Sequence, residues 1–252
     1  MIIPKHPFVR AVCLKRDEVP SFKRYPFNLP CLCGLTRLEL HPSVTFFVGE
    51  NGSGKSTLLE AIAVKYGFNA EGGSKNFNFS TRDTHSELHD YLFIERGVAR
   101  AADGYFLRAE SFYNVASQVE DLGVGGYGGK SLHAQSHGEA FLSLVTNRLQ
   151  GEGFYLLDEP EAALSPLRQM SVLSYLHRLV YHHSQLIIAT HSPILLAYPQ
   201  AWIYQFSESG LARVNYTDTE HYQVTKDFLN RPERMMEILL GNEERDLKNT
   251  ER

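Results

Sequence analysis

Apolar positions in this chain fall into short runs separated by polar, turn-rich stretches. Ser43–Val48 (SVTFFV), Gly153–Leu157 (GFYLL) and Gln185–Thr190 (QLIIAT) are brief, nearly continuous apolar runs. That pattern predicts strands buried on both faces. Tyr91–Ile94, Gly104–Leu107 and Ala201–Phe206 predict three more strands. Ser56–Lys65, about 138–150 and about 165–182 predict helices, and 111–121 another. The first 40 residues, with prolines at 4, 7, 20, 26 and 30, predict strands and turns. Residues 69–86 are polar and turn-rich, and Gly123–Gly129 holds five glycines in seven residues, so both predict loops. Residues 231–252 predict a helix that runs out into charge. Strands alternating with helices predict an α/β domain with a mainly parallel sheet.

Composition narrows the class. Apolar residues make up 43% and charged residues 21% of 252. That excludes a disordered chain, a collagen-like repeat and a highly charged coiled coil. With 25 Lys+Arg against 29 Asp+Glu the net charge is −4, which gives no global pull toward nucleic acid or an anionic membrane. Cys13, Cys31 and Cys33 are too few for a disulfide framework and lack the second pair of a zinc site. No stretch reaches the roughly 18 apolar residues of a membrane span. The start of the chain lacks the unbroken apolar core of a signal peptide. The expectation is a soluble, cytoplasmic protein.

The chemistry starts after the first apolar run. Gly49-Glu50-Asn51-Gly52-Ser53-Gly54-Lys55-Ser56-Thr57 matches G-x-x-x-x-G-K-[ST], between an apolar strand and a helix. Its glycines let successive backbone N–H groups surround a β-phosphate, and the following helix adds its positive end. Lys55 suits the bridge between β- and γ-phosphates, and the Ser56 hydroxyl suits Mg²⁺. The expected ligands are therefore ATP and Mg²⁺. The Gly153–Leu157 run ends in Asp158-Glu159-Pro160. Asp158 is the candidate metal ligand and Glu159 the candidate general base, with Pro160 ending the strand so that both carboxylates lie at its C-terminal end.

Two further elements are ambiguous taken alone. Ser136-His137-Gly138-Glu139 opens a helix, where it is either a plain cap or an anion-binding start. Leu186–Pro193 (LIIATHSP) places His191 just past a strand, as a structural or a functional histidine. His85 and His89 have i, i+4 spacing but lack a third ligand, so a solvated face is expected. Basic residues at 5, 10, 15, 16, 23 and 24 form a local patch that reads as solvated surface or a partner site. Arg231, Glu233, Arg234 and Glu237 read as a salt-bridged helix face.

Order decides more than any single element. Phosphate loop, Ser136, Asp158-Glu159 and His191, spaced by 22 residues from Ser136 to Asp158 and 33 from Asp158 to His191, resemble the ATP-binding-cassette (ABC) ATPases. The resemblance is to their soluble branch, the SMC- and RecF-like ATPases and the small bacterial AAA-family ATPases. It implies a P-loop fold of ABC type over residues 1–252, with a small helical subdomain near 108–150 and an N-terminal antiparallel β portion. It implies ATP hydrolysis in a head-to-tail homodimer. Gly49–Thr57 of one copy would hold ATP, while Ser136 and Gly138 of the other cap the γ-phosphate. Lys55, Glu159 and His191 would act in catalysis, His191 sensing the γ-phosphate, and Ser56 and Asp158 would hold the metal. Glu161–Ser165 falls where a turn lines the dimer interface.

The chain also departs from that pattern. SHGE replaces the transporter-type L-S-G-G-Q, and Ser165 stands where Asp is usual. Glu110 or Arg108 stands near the expected glutamine, and Tyr25 or Phe27 near the adenine-stacking aromatic. Only 81 residues separate Lys55 from Ser136, too few for long coiled-coil arms. The rival readings are an ATP-binding subunit of a membrane transporter and a non-hydrolysing, ATP-dependent interaction module. DNA repair, phage defence and an unidentified protein partner all fit such a head, and the −4 charge lends nucleic acid no support.

Overall fold

The computed structural model describes residues 6–74, 86–108, 137–162 and 164–240. Its centre is a six-stranded sheet in the order β5 (Asp103–Arg108), β6 (Gly153–Asp158), β7 (Gln185–Ala189), β3 (Val44–Gly49), β8 (Trp202–Ser207), β9 (Gly210–Val214). Every pairing from β5 to β8 is parallel, and β9 folds back antiparallel on β8. Every residue of β3, β6 and β7 is buried, as expected of central parallel strands covered on both faces.

The alternation of side chains along these strands feeds two separate cores. Phe46, Val48, Tyr155, Leu157 and Ile188 pack on one face with α3 (His137–Arg148) and α4 (Pro166–Tyr181). Phe47, Phe154, Leu156 and Ile187 pack on the other with α2 (Lys55–Tyr66). That second core also takes in Val12, Leu14, Leu38 and Ile94 from a small antiparallel sheet, ordered β2 (Arg37–Glu39), β1 (Val9–Leu14), β4 (Leu92–Arg96).

Polar contacts fix how the layers meet. Gln185 is buried at the start of β7, and its amide spans the two sheets. It donates to the carbonyls of Val9 at 2.7 Å and His41 at 3.1 Å and accepts from the Val9 N–H at 2.9 Å. Arg148 at the end of α3 grips Asp103 of β5 at 3.0 and 3.1 Å, and the Tyr155 hydroxyl donates to the same carboxylate at 2.8 Å. Ser165 caps α4 by accepting from the Arg168 N–H, with Pro166 following it in the first turn. After β9, α5 (Pro193–Leu196) is met by a short 3-10 turn (Tyr216–Asp218), and α6 (Glu220–Asn230) starts at its Thr219 cap.

The expected helix over 111–121, the glycine-rich loop and residues 241–252 lie outside the described residues, while 232–240 is helical. His85 also lies outside them. His89 sits in a 3-10 turn (Glu87–Tyr91) and meets the Ser86 carbonyl at 3.0 Å. Lys5 of the N-terminal basic patch lies outside the described residues, and three of the other five basic positions are paired. Arg16 donates to the carbonyls of Leu32, Cys33 and Leu35, Lys15 pairs with Glu18 at 2.9 Å, and Arg24 pairs with Glu87. Near the C-terminal end, Arg231 pairs back with Asp227 at 3.6 Å. Burial pushes the Cys31 thiol up to about 12, so it is an inert core thiol. Among the described residues, no helix is long and apolar enough to cross a membrane.

Candidate functional site

Three adjacent central strands, β6, β7 and β3, run parallel, so their C-terminal ends open on one edge of the sheet. The phosphate loop follows β3, Asp158-Glu159 follows β6, and His191 follows β7. Sequence distance is thereby collapsed: the Ser56 hydroxyl donates to Asp158 Oδ1 at 2.9 Å.

The loop's shape follows from its glycines. Gly49, Gly52 and Gly54 adopt φ of +153°, +78° and +97°. At Gly49 there is no room for a side chain, since a Cβ would lie 2.3 Å from the Phe206 carbonyl oxygen on β8. A Cβ on Gly54 would meet Cys31 Sγ at 2.8 Å, which gives that buried cysteine a packing role under the loop. Gly54 then caps α2. Lys55 is buried, and its ammonium donates to the carbonyls of Gly49 at 2.7 Å and Glu50 at 2.9 Å, closing the loop on itself. Burial lowers the Lys55 pKa, opposed by Glu159, Asp158, Glu50 and Glu161, so this cation is surrounded by carboxylates.

The two acidic residues after β6 differ in exposure and backbone. Asp158 is buried and tied to Ser56. Glu159 has a left-handed φ of +50°, and its N–H donates to the Ala189 carbonyl on β7 at 2.9 Å. A left-handed turn at a non-glycine residue is a strained conformation of a kind that clusters at functional sites. It turns the Glu159 carboxylate toward His191, whose Nε2 lies 3.5 Å from Oε1.

The resemblance puts Glu161 on an interface turn. In the structure its carboxylate faces inward, accepting the His191 backbone N–H at 2.5 Å and a hydrogen bond from the Thr190 side chain. Burial raises its pKa, and those hydrogen bonds oppose the rise. The adjoining Ser192 side chain accepts from the Leu195 N–H and donates to Gln169 on α4 at 2.6 Å, so the segment carrying His191 is held from both sides.

The remaining expectations sort clearly. Ser136 and Glu110 lie outside the described residues. Gly138 lies in the first turn of α3. Arg108 is the last residue of β5, paired in register with Asp158. It donates to Glu60 on α2 at 2.5 Å, and its Nε lies 3.9 Å from Asp158 Oδ2, which puts a cation beside the acidic strand end. Of the two upstream aromatics, Phe27 is fully buried against Tyr91. Tyr25 is 61% exposed, with its hydroxyl 3.4 Å from Thr57 Oγ1. Three residues near this edge carried no sequence signal: Glu60, Glu161 in its inward role, and His221 on α6, whose Nε2 lies 2.9 Å from His191 Nδ1.

Among the described residues no group of three or more His, Cys, Asp or Glu side chains forms a metal cage. The Ser56–Asp158 pair offers instead two hard oxygen donors beside a phosphate loop, a set that suits Mg²⁺ completed by phosphate and water oxygens.

Residues 27–118 match a family described as "AAA domain", and residues 139–197 match one described as "AAA domain, putative AbiEii toxin, Type IV TA system". No curated protein matches. Among solved structures, the chain is similar to "a putative metal-chelate type ABC transporter" in an inward-facing conformation, at 16% identity over 86% of this chain and 88% of that one, with a TM-score of 0.49. It is also similar to the SMC head domain from Thermotoga maritima, at 17% identity over 82% of this chain and 98% of that one, with a TM-score of 0.45. The two AAA-domain matches fall on a parallel sheet that gathers phosphate loop, acidic strand end and histidine on one edge, the arrangement of a P-loop nucleotide-binding fold.

Proposed function

We propose that the protein binds ATP with Mg²⁺ at this edge, hydrolyses it to ADP and phosphate, and couples the nucleotide to head-to-tail association of two copies. The observation that carries this reading is the convergence of the Ser56–Asp158 pair, Lys55, Glu159 and His191 from three neighbouring strands.

Each group then has a task. The backbone N–H groups of Gly49–Thr57 and the N-terminus of α2 surround the β-phosphate. Lys55 exchanges its loop carbonyls for β- and γ-phosphate oxygens. Ser56 and Asp158 hold Mg²⁺, which when bound neutralises phosphate charge. Glu159 accepts the proton of the attacking water. His191 contacts the γ-phosphate. Tyr25 stacks on the adenine. One copy leaves the γ-phosphate open to water, and a second helix start, Ser136 and Gly138 of another copy, completes the electrostatic cage. Leu167 and Met170, 71% and 51% exposed at the start of α4, supply apolar surface for that contact beside the Glu161–Ser165 turn.

Glu159→Gln tests the reading. It keeps size and hydrogen bonding but removes the base, so steady-state phosphate release should fall about a hundredfold or more. ATP should then drive the variant to a dimer on size-exclusion chromatography with light scattering. Wild-type protein that binds ATP but releases no phosphate would favour an interaction module instead. A trapped variant that stays monomeric with ATP would remove the dimer.

A further inference from the structure

We propose that His221 is a positioning residue of this site: it fixes the ring orientation and tautomer of His191, so that His191 carries its proton on Nε2, facing Glu159 and the phosphate loop. The role of His191 rests on the ATPase reading above; the pairing of the two rings does not.

The contact is direct. His221 Nε2 and His191 Nδ1 are 2.9 Å apart, with ring centroids at 5.1 Å and planes inclined by 49°. This is an N···N hydrogen bond rather than a ring stack. Two neutral imidazoles at that distance share one proton, so one ring donates and the other accepts. The far side of His191 decides which. Its Nε2 lies 3.5 Å from Glu159 Oε1. A bare lone pair there would oppose the carboxylate, whereas an N–H is attracted to it. His191 therefore carries its proton on Nε2 and accepts at Nδ1, and His221 donates. When one ring nitrogen is engaged, the other is set for its task.

The donor is held firmly. His221 is the second residue of α6, whose Thr219 cap is buried, accepts from the Tyr222 N–H and donates to the Tyr216 carbonyl at 2.7 Å. The Tyr216 hydroxyl donates to the Pro193 carbonyl at 3.0 Å, two residues beyond His191. The start of α6 is thus fastened to the same segment that carries His191. The His191 backbone is held separately by Glu161. Glu161 places the residue and His221 turns its ring. Apolar packing does not call for a histidine here, because none of the residues of α6 is buried.

The test uses the full chain with His221→Ala and His221→Gln, each alone and with His191→Ala. The Gln amide can donate to Nδ1, and Ala cannot. His221→Ala should lower kcat for phosphate release about tenfold, the lower end for a residue that orients another, with KM for ATP within about twofold. His221→Gln should recover most of kcat. In the His191→Ala background, His221→Ala should have no further effect, because it acts through the missing ring. ¹⁵N imidazole spectra without nucleotide should show His191 protonated on Nε2 in the wild type and as a tautomer mixture in His221→Ala. The proposal is overturned by unchanged kcat in His221→Ala, by an equal loss in the His191→Ala background, or by wild-type His191 protonated on Nδ1. If His221→Ala does not fold, His221→Gln and the wild-type spectrum still decide. If the wild type releases no phosphate, the ATPase reading falls while the spectra still test the pair.

Discussion

The Ser56 hydroxyl donates to Asp158 Oδ1 at 2.9 Å, joining the start of α2 to the end of β6 across 102 residues of sequence. On the proposed reading, their contact is where the hard-oxygen ligands of a phosphate-bound cation would meet. Asp158→Asn, nearly isosteric, should leave the fold intact and reduce Mg²⁺-dependent phosphate release about a hundredfold, the scale of removing one preorganised electrostatic partner. Ser56→Ala should raise the Mg²⁺ concentration for half-maximal turnover about tenfold. A Mg²⁺ titration of steady-state turnover checks both, and an unchanged midpoint in Ser56→Ala would remove it from the metal site.

The phosphate-loop glycines should separate by what surrounds them. A Cβ at Gly49 meets the Phe206 carbonyl of β8 at 2.3 Å, a backbone atom that cannot turn aside. Gly52 has open space around it and pays only for its φ of +78°. Gly52→Ala should cost about 1–2 kcal/mol, the penalty of a left-handed conformation for an L-residue. Gly49→Ala should cost more and abolish ATP binding, since β3 and β8 must part. Urea unfolding with fluorescent-nucleotide binding distinguishes the two. Equal losses would mean that steric space is not what sets the Gly49 requirement.

Much of this sheet edge was legible because its signals are local. A strand, a glycine loop and a helix adjoin in sequence around Lys55. A strand and two carboxylates adjoin at Asp158, and a strand and a histidine at His191. What stayed hidden depends on partners far along the chain. Nothing near Gln185 shows that its amide closes on Val9, and nothing near Arg108 shows Glu60 beneath it. The helix α6 is hard to see in the sequence because it is mostly polar and none of its side chains is fully buried, so no apolar run marks it. His221 went with it. Glu161 was legible as a position in an ordered series, but its inward direction comes from the turn after Pro160, which the series does not encode.

Gln185 lies at the opposite end of β7 from His191, which lets stability be separated from chemistry. Its amide satisfies the Val9 N–H and two carbonyls in a buried setting. Gln185→Leu fills similar volume but leaves all three without a partner. Buried unsatisfied groups cost about 1–3 kcal/mol each. A net loss of about 2 kcal/mol or more, or roughly 4–8 °C in Tm for a chain of this size, is expected. ATP affinity at low temperature should change less than about twofold. Calorimetry with nucleotide titration checks it, and an unchanged Tm would mean that water replaces the lost amide.

Acid should weaken the paired histidines, and the sign follows from their surroundings. Burial, then the Lys55 ammonium, lowers the pKa of His191 below the ordinary 6.5. Burial also lowers that of His221. The folded chain therefore refuses protons that the unfolded chain accepts below about pH 6.5. The stability present above that pH is lost as pH falls toward the lowered folded values. Glu161 works in the opposite direction. Its carboxyl is raised above the ordinary 4.5, so its contribution declines as pH rises from there toward its folded value. The Glu161 effect extends upward from 4.5 and the histidine effect downward from 6.5, so total stability alone would blur them. The difference between wild type and His221→Gln isolates the histidine part: the variant should lose less stability on acidification through this range. Urea unfolding at a series of pH values measures that difference. Parallel curves for the two proteins would show that folding leaves the His221 titration unshifted, and would overturn the acid sensitivity assigned to it.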